Sequence, residues 1–394
     1  MDERRVLHLS KISHGGAAIA AKRLNDAFSG TAWASRIIFA EEQLRTVRDK
    51  LEARVSNKLD YEIGKIGKSP LTLSLLSRVN QKQIISMLND PLEIKNVHWF
   101  PNFPVYFLTD KVVFTLHDMN QFTGACHHSF SCNNFETNCQ ACPQVGSIFQ
   151  KMVMDGHEKK LEKVSKLQNY HVISPSKWLA SKARESSIFQ HAEISVIPNP
   201  VPQEIFSRHQ RASIRAKLNL ENSFVVGGVG HTFGSKKGGN FTRDVVELLR
   251  YKNPDHKIVY ITFGQNDYKK SSEEKDINVI SGDQVQMAAM LSTCDVFLYA
   301  SAADNLPSIL LEAQSVGVPI ISHDIGGISE TYQDNVSGKT IANDVFAFCD
   351  AAQAFLDNPS YLSKFSSAAS SFAQSHFSSK YIASQYIDVY ESLD

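Results

Sequence analysis

Two acidic side chains and a pair of glycines stand within one short part of the chain. Asp304 precedes a stretch with apolar residues at helical spacing, and Glu312 lies one or two turns into that helix. Gly317 ends the helix, a short apolar strand follows, and Gly326-Gly327 opens the next helix. Backbone N–H groups at a helix start attract an anion, and nearby carboxylates accept hydrogen bonds from sugar hydroxyls. The pattern therefore predicts a sugar-nucleotide site at the carboxyl ends of parallel strands.

Glycine-rich turns also follow two other apolar strands. Gly15 and Gly16 come after the first strand and open a helix of small residues. This turn lacks the G-x-G-x-x-G pattern with its acidic partner, which argues against a dinucleotide site. Lys236 and Lys237 stand where a later helix begins, so their charges and the backbone N–H groups can neutralise a diphosphate. The alternatives are a turn that serves packing and a pair of solvated lysines.

A histidine and an aspartate follow the buried strand at residues 112–116. His117 stands at the carboxyl end of this strand, where side chains of an open α/β sheet face the ligand crevice. We therefore take His117 as the first catalytic candidate. Asp118 is the second, as a residue that orients His117 or contacts an acceptor. A structural histidine is the alternative interpretation.

Four of the six cysteines fall in a loop at residues 123–143. They are Cys126, Cys132, Cys139 and Cys142. Thiolates at such spacing can close a tetrahedral zinc site, and a closed site of four ligands orders a loop without taking part in chemistry. The sequence thus predicts a structural zinc, with buried reduced thiols or disulfides as the alternatives.

Composition excludes several classes of protein. The 394 residues are enough for two or three domains, and 41 basic residues balance 41 acidic ones. A nucleic-acid-binding protein would be expected to carry a basic footprint. No apolar run approaches the length of a membrane span, and the first residues lack the apolar core of a signal peptide. We expect a cytoplasmic protein that does not bind nucleic acid.

Apolar strands and helices alternate along both halves of the chain, which is typical of an α/β fold with parallel sheets. The two prolines around Asn199 stiffen the chain and end a strand, so a domain boundary is placed there. Residues 1–199 form the first predicted domain and residues 200–376 the second. A final helix occupies residues 377–394. The lysine-rich helix at residues 150–167 is expected to be a solvated face, or else a peripheral membrane contact.

The stretch at residues 304–330 resembles the donor site of retaining GT-B glycosyltransferases of family 4. The family pattern is an acidic residue, seven others and a Glu, then small-x-G-x-P and G-G-x-x-E. Asp304 takes the first position, where the family usually has Glu, and Glu312 takes the second. Lys237-Gly238 matches the Lys-Gly of the family pattern G-R-x5-K-G, with His231 in the place of its Arg.

The resemblance implies two Rossmann-like domains that face each other across a cleft, with the last helix crossing back to the first domain. The first domain would bind the acceptor and the second a nucleotide sugar. Glu312 would bind the ribose hydroxyls, and Asp304 the transferred sugar. The remaining donor-binding residues implied by the family pattern are Gly15, Gly16, His231, Lys236, Lys237, Asn305 and Leu306.

The implied activity is transfer of a sugar from a UDP- or GDP-sugar to a glycan or lipid-linked acceptor, with retention and without a catalytic cofactor. The implied setting is bacterial surface-polysaccharide synthesis, at the inner face of the cytoplasmic membrane. Two alternatives stay open. One is a transferase of the same fold that acts on a small sugar phosphate or lipid. The other is a non-catalytic module that binds a sugar nucleotide.

Overall fold

The computed structural model describes residues 4–43, 47–66, 74, 88, 90–101, 110–207, 211–230, 238–264, 276–280 and 283–393. It divides the chain into two compact units. The first is Met1–Pro200 together with Ile382–Asp394, and the second is Val201–Tyr381.

The first unit contains a parallel sheet of six strands in the order β2-β1-β3-β4-β5-β6. The strands are β1 Arg4–Ser10, β2 Trp33–Phe39, β3 Glu93–Val97, β4 Val112–Thr115, β5 Tyr170–Ser174 and β6 Ile194–Val196. Its helices are α1 Gly15–Ala27, α2 Val47–Ile66, α3 Gln150–Val164 and α4 Lys177–Glu185. Parallel strands end at the same edge of a sheet, so the residues that follow β1, β3 and β4 are neighbours.

Alternate residues of these strands enter two separate apolar cores, one on each face of the sheet. Val112 and Phe114 belong to one core, whereas Val113 belongs to the other. The last helix, which includes Tyr386 and Tyr390, packs in the core that contains Val113. Both faces are therefore covered, which explains why the strands read as continuous apolar runs.

The second unit contains another six-stranded parallel sheet, in the order β12-β11-β10-β7-β8-β9. The strands are β7 Ser223–Val229, β8 Lys257–Phe263, β9 Ile277–Val279, β10 Val296–Tyr299, β11 Ile320–Ser322 and β12 Gly338–Thr340. The helices that follow α4 are α5 Arg211–Lys217, α6 Gly239–Lys252, α7 Gln284–Ser292, α8 Ser308–Ser315, α9 Val345–Asp357, α10 Pro359–Phe377 and α11 Ser379–Glu391. Here too, alternate strand residues enter two cores.

These two parallel sheets confirm the predicted fold class. One local prediction is wrong, because the segment that follows Gly326-Gly327 is a single 3-10 turn, Ile328–Thr331, and not an α-helix. The Glu330 amide donates a hydrogen bond to the Gly327 carbonyl at 3.1 Å, and Tyr332 then has an extended backbone conformation. Among the described helices, none combines the length and the apolar character needed to cross a bilayer.

A buried ionic cluster joins β7 and β10 in the second unit. The Asp295 carboxylate, just before β10, accepts a hydrogen bond from the Val225 amide at 2.7 Å. It also pairs with the guanidinium groups of Arg215, at 3.1 Å, and Arg211. Buried charges are stable only when paired in this way.

We expect Asp295→Ala to lower the free energy of unfolding by about 3–5 kcal/mol, because it leaves two guanidinium groups without their carboxylate in the protein interior. Denaturant unfolding of the purified variant measures the loss. Asp350→Ala is the matched control, since this exposed carboxylate pairs only on the surface with Lys252 at 2.8 Å. Equal unfolding midpoints for the two variants would contradict the structural role of Asp295.

Candidate functional site

Asp304 lies in the loop between β10 and α8, and two donors hold its carboxylate. The buried Tyr299 hydroxyl, at the end of β10, donates to Oδ2 at 2.6 Å. The backbone amide of Asn305 donates to Oδ1 at 2.9 Å. Burial and the charge of Asp304 raise the pKa of Tyr299 well above its ordinary value, so Tyr299 keeps its proton and remains a donor. The orientation of the Asp304 carboxylate is therefore fixed before any ligand binds.

The Gly326-Gly327 turn lies against the backbone of Asp304. The φ of Gly326 is +63°, and a Cβ atom at this position would lie 1.9 Å from the carbonyl oxygen of Asp304. Only glycine allows both the left-handed conformation and this approach. The structure thus brings together the acidic residue and the Gly-Gly turn that the sequence places 22 positions apart.

Glu312 is buried inside α8, with only 6% of its surface exposed. The helix begins after Pro307 and ends at Ser315, and Gly317, two residues further on, has a φ of +73° in the left-handed region. The Val318 amide then bonds to the Ala313 carbonyl at 2.8 Å and turns the chain into β11. A carboxylate at this depth must be hydrogen-bonded, and Glu312 already interacts with other groups of the protein.

The first turn of α6 lies against the end of β10. Gly238, the residue just before this helix, has a φ of +70°, and a Cβ atom there would lie 2.2 Å from the carbonyl oxygen of Ala300. The N-terminus of a 14-residue helix is thereby placed beside the loop that carries Asp304. The three cationic candidates before it, His231, Lys236 and Lys237, lie outside the described residues.

Three histidines form a chain of hydrogen bonds in the first unit. His8, in β1, contacts His98 through its Nδ1 atom, which lies 2.9 Å from Nε2 of His98. His98 follows β3, and its Nδ1 atom lies 3.1 Å from Nε2 of His117. Burial lowers the pKa of His8 to about 3 and that of His117 to about 4, and the pKa of His98 also falls well below its usual value. All three rings are therefore neutral at neutral pH.

Asp118 is engaged by its own neighbours. Its Oδ2 atom lies 2.7 Å from the Trp99 indole nitrogen and 2.6 Å from Nδ1 of His127. Its Oδ1 atom accepts from the Asn120 amide at 2.8 Å. Burial alone would raise the pKa of Asp118, but the charge and hydrogen bond of His127 and the amide bond outweigh burial and lower it to about 2. These contacts favour an orienting role for Asp118 and leave it no proton to transfer.

The Gly15-Gly16 turn opens α1, and its surroundings are open. Gly15 has a φ of +81°, and no atom of the described residues lies within 4 Å of a Cβ built on either glycine. Ser13 fixes the turn, because its amide and hydroxyl both donate to Oε1 of Glu41, at 2.6 and 2.8 Å. A ligand phosphate could therefore approach the backbone closely here.

The four clustered cysteines line one small cavity together with Gly124, Phe135 and Val153. All four are free thiols, so the disulfide alternative is wrong. Burial raises the pKa of Cys126 to about 12 and that of Cys139 to about 11, which keeps both thiols protonated.

The structure does not support the zinc predicted on Cys126, Cys132, Cys139 and Cys142. Nowhere in the described part of the chain do three or more His, Cys, Asp or Glu side chains form a group that could hold a metal ion. Protein groups hold the loop instead. Lys160 donates to the carbonyl oxygens of Asn120 and Thr123, and the Gln150 side chain bonds to both the amide and the carbonyl of Cys142.

Comparison with known proteins relates part of the second unit to a known family. Residues 223–358 match the family described as Glycosyl transferases group 1. This segment of the chain is therefore similar to that family. The matched segment contains the described donor-site candidates Asp304, Asn305, Leu306 and Glu312, as well as the Gly326-Gly327 turn.

Curated relatives of the chain include proteins that are named for polysaccharide synthesis. The chain is 25% identical over 244 residues to WcaC of Escherichia coli K12, named as a colanic acid biosynthesis glycosyl transferase; this covers 59% of the chain and 56% of WcaC. It is 30% identical over 171 residues to an E. coli UDP-Gal:alpha-D-GlcNAc-diphosphoundecaprenol alpha-1,3-galactosyltransferase, covering 40% and 44%. The chain thus spans about half the length of these two relatives.

The similarity to solved structures covers both units of the chain. Sucrose-phosphate synthase from Thermosynechococcus elongatus has a TM-score of 0.65 at 17% identity, with 99% of each chain covered. HepE from Anabaena, in complex with UDP and glucose, has a TM-score of 0.64 at 14% identity, covering 99% of this chain and 100% of HepE. At these identities the likeness shows the fold, which is GT-B.

We expect Gly326→Ala to destabilise the second unit by about 1–3 kcal/mol, because alanine at a φ of +63° is strained and its Cβ overlaps the Asp304 carbonyl. Thermal unfolding of the purified variant measures the loss. Gly16→Ala is the control: it also adds one methyl group at a turn, but among the described residues no atom lies within 4 Å of that methyl position. Identical melting temperatures for the two variants would contradict the contact between Gly326 and Asp304.

Proposed function

We propose that this protein transfers a sugar from a nucleotide-sugar donor to a glycan or lipid-linked acceptor, with retention of anomeric configuration. The observation that carries the proposal is the Asp304 carboxylate, held by Tyr299 and Asn305 and packed on the Gly326 turn, within the segment that matches a glycosyltransferase family. Its geometry suits a carboxylate that accepts hydrogen bonds from sugar hydroxyls.

We assign the donor-site residues the roles that the family resemblance implies. Buried Glu312 accepts hydrogen bonds from the ribose hydroxyls, and Asp304, with Asn305 and Leu306, contacts the transferred sugar. The N-terminus of α6 faces the diphosphate and attracts it through its backbone N–H groups. We assign Lys236, Lys237 and His231 to the same diphosphate from their sequence positions before this helix, and Gly15 and Gly16 from the open surroundings of their turn.

The reaction balances without a protein nucleophile. The acceptor oxygen forms a bond to the anomeric carbon on the face from which the diphosphate leaves, as the bond to the phosphate oxygen breaks. The proton of the acceptor hydroxyl passes to the departing phosphate oxygen. Positive charge and N–H dipoles stabilise the diphosphate as it leaves. Transferases of this family generally need no cofactor, and we propose the same here.

We infer that the donor is a uridine diphosphate sugar and that the acceptor is carried by a lipid. The donor assignment draws support from the solved HepE complexes with UDP-glucose and UDP. The acceptor assignment draws on the relative named as acting on a diphosphoundecaprenol-linked sugar. Names of relatives in colanic acid and Vi polysaccharide synthesis suggest the same pathway class. Such an acceptor would place the protein as a peripheral contact at the inner face of the cytoplasmic membrane.

A second candidate function is transfer to a small phosphorylated sugar acceptor. It is favoured by similarity to a Streptomyces coelicolor D-inositol 3-phosphate glycosyltransferase, which is 28% identical over 93 residues. The donor site would be the same in both cases, so only the acceptor distinguishes the two reactions.

A panel of UDP- and GDP-sugars tests the proposed function. We expect one UDP-sugar to bind in calorimetry and to release UDP only when a lipid-linked glycan is added. Release with inositol phosphate or another small phosphorylated sugar would favour the second candidate. Binding without release, across all acceptors, would identify a sugar-nucleotide-binding module and contradict the transferase.

We expect Glu312→Gln to weaken binding of the UDP-sugar by about tenfold or more, because a neutral amide replaces the carboxylate that accepts the two ribose hydroxyls. Calorimetry with the donor found above measures the change. Glu221→Gln, an exposed carboxylate in the same unit, is the control and should bind as wild type does. Unchanged donor affinity in Glu312→Gln would remove Glu312 from the site.

A further inference from the structure

The three-histidine chain has no part in the chemistry proposed above. His8 and His98 are almost completely buried, at 0% and 1% exposure, and His117 is half-buried at the carboxyl edge of the sheet. β1, β3 and β4 are adjacent strands, so the fold itself places these rings next to one another. The centroids of neighbouring rings are 5.2 and 5.3 Å apart.

Counting protons limits the three histidines to two combinations of tautomers. Each neutral imidazole carries one N–H and one lone pair, and each of the two hydrogen bonds needs one of both. His98 uses both its nitrogens, so if it accepts at Nε2 it must donate at Nδ1. The three tautomers therefore change together. Either every proton sits on Nδ1, or every proton sits on Nε2.

His8, at the buried end of the histidine chain, decides between these two arrangements. Nε2 of His8 is buried, and no hydrogen-bond partner for it exists among the described residues. In the second arrangement this atom would be an N–H without an acceptor, which is the rare kind of buried defect in folded proteins. In the first arrangement it is a bare lone pair. The first arrangement is therefore the stable one, in which His8 donates to His98 and His98 donates to His117.

We propose that His98, oriented by His8, is a positioning residue that holds His117 with its proton on Nδ1. An oxygen of the sugar substrate that reaches Nδ1 of His117 would then meet a hydrogen-bond donor and not a general base, since the Nε2 lone pair is occupied by His98. The reference to the substrate rests on the proposed function. The tautomer itself does not, because it follows from contacts inside the first unit.

The role assigned to His117 agrees with the reaction written above. There the acceptor proton passes to the departing phosphate oxygen, so the mechanism requires no protein base. A neutral N–H near the reacting sugar stabilises negative charge or fixes a hydroxyl without exchanging a proton. The histidine chain provides such a donor at neutral pH.

Nitrogen-15 NMR of protein labelled at histidine tests the tautomer directly, because protonated and bare ring nitrogens resonate far apart. The signals of His117 and His98 are assigned by their loss in His117→Gln and His98→Asn. We expect Nδ1 of His117 to be protonated and Nε2 to be bare. Protonation of His117 at Nε2, or at both nitrogens, would overturn the proposal.

A matched pair of substitutions tests the role of His98. The amide introduced by His98→Asn would place a donor near the position of the His98 Nδ1 atom, and the carboxylate introduced by His98→Asp would place an acceptor oxygen there. We expect His98→Asn to keep the His117 proton on Nδ1 and most of the turnover. We expect His98→Asp to move that proton to Nε2 and to lower kcat at least about tenfold, with donor affinity unchanged.

Equal losses in His98→Asn and His98→Asp, with the same tautomer in both, would show that His98 only fills space. His157→Leu controls for loss of a buried histidine, since His157 contacts Ser187 and is not part of the chain. Should His98→Asp fail to fold, the wild-type spectrum and His98→Asn still decide. If wild type shows the expected tautomer but transfers no sugar, the proposed function fails and the positioning claim stands.

Discussion

Two contacts between glycine and a backbone carbonyl determine the candidate donor site. Gly326 lies on the carbonyl of Asp304, and Gly238 lies on the carbonyl of Ala300. Each contact is closer than any side chain allows, and each occurs at a left-handed φ. Through these contacts, the turn that leads into Ile328–Thr331 and the start of α6 both lie against the loop that follows β10. At both contacts the backbones approach closely because the glycines place no side chain between them.

The first unit uses a different means to fix its polar groups. His8, His98 and His117 bond to one another, and Asp118 is surrounded by donors from the protein. A buried polar group costs free energy unless it is hydrogen-bonded, and here the partners come from neighbouring strands of the same sheet. The result is a carboxyl edge whose side chains are oriented in the absence of ligand. In both units, preorganisation comes from contacts within the unit.

The sequence predicts the fold class well, because parallel strands covered on both faces leave apolar runs that alternate with helices. The spacing of Asp304, Glu312 and Gly326 also indicates a sugar-nucleotide site, and the structure brings Asp304 and Gly326 together. The sequence could not show that Tyr299 holds Asp304, because that contact depends on the conformation of the loop after β10. Nor could it show that His8 and His98 reach His117, because those contacts depend on the register between strands. Cysteine spacing suggested zinc, but spacing does not reveal that burial raises the pKa of the Cys126 and Cys139 thiols or that Lys160 and Gln150 hold the loop.

Hydrogen exchange read by mass spectrometry, with and without a UDP-sugar, tests the central claim most directly. The claim is that the loop at residues 304–306 and the turn at residues 326–331 form one sugar-binding surface. The account predicts that the donor slows amide exchange in both segments together, and that Glu312→Gln removes the effect in both. Protection confined to one of the segments, or found only elsewhere in the chain, would contradict it.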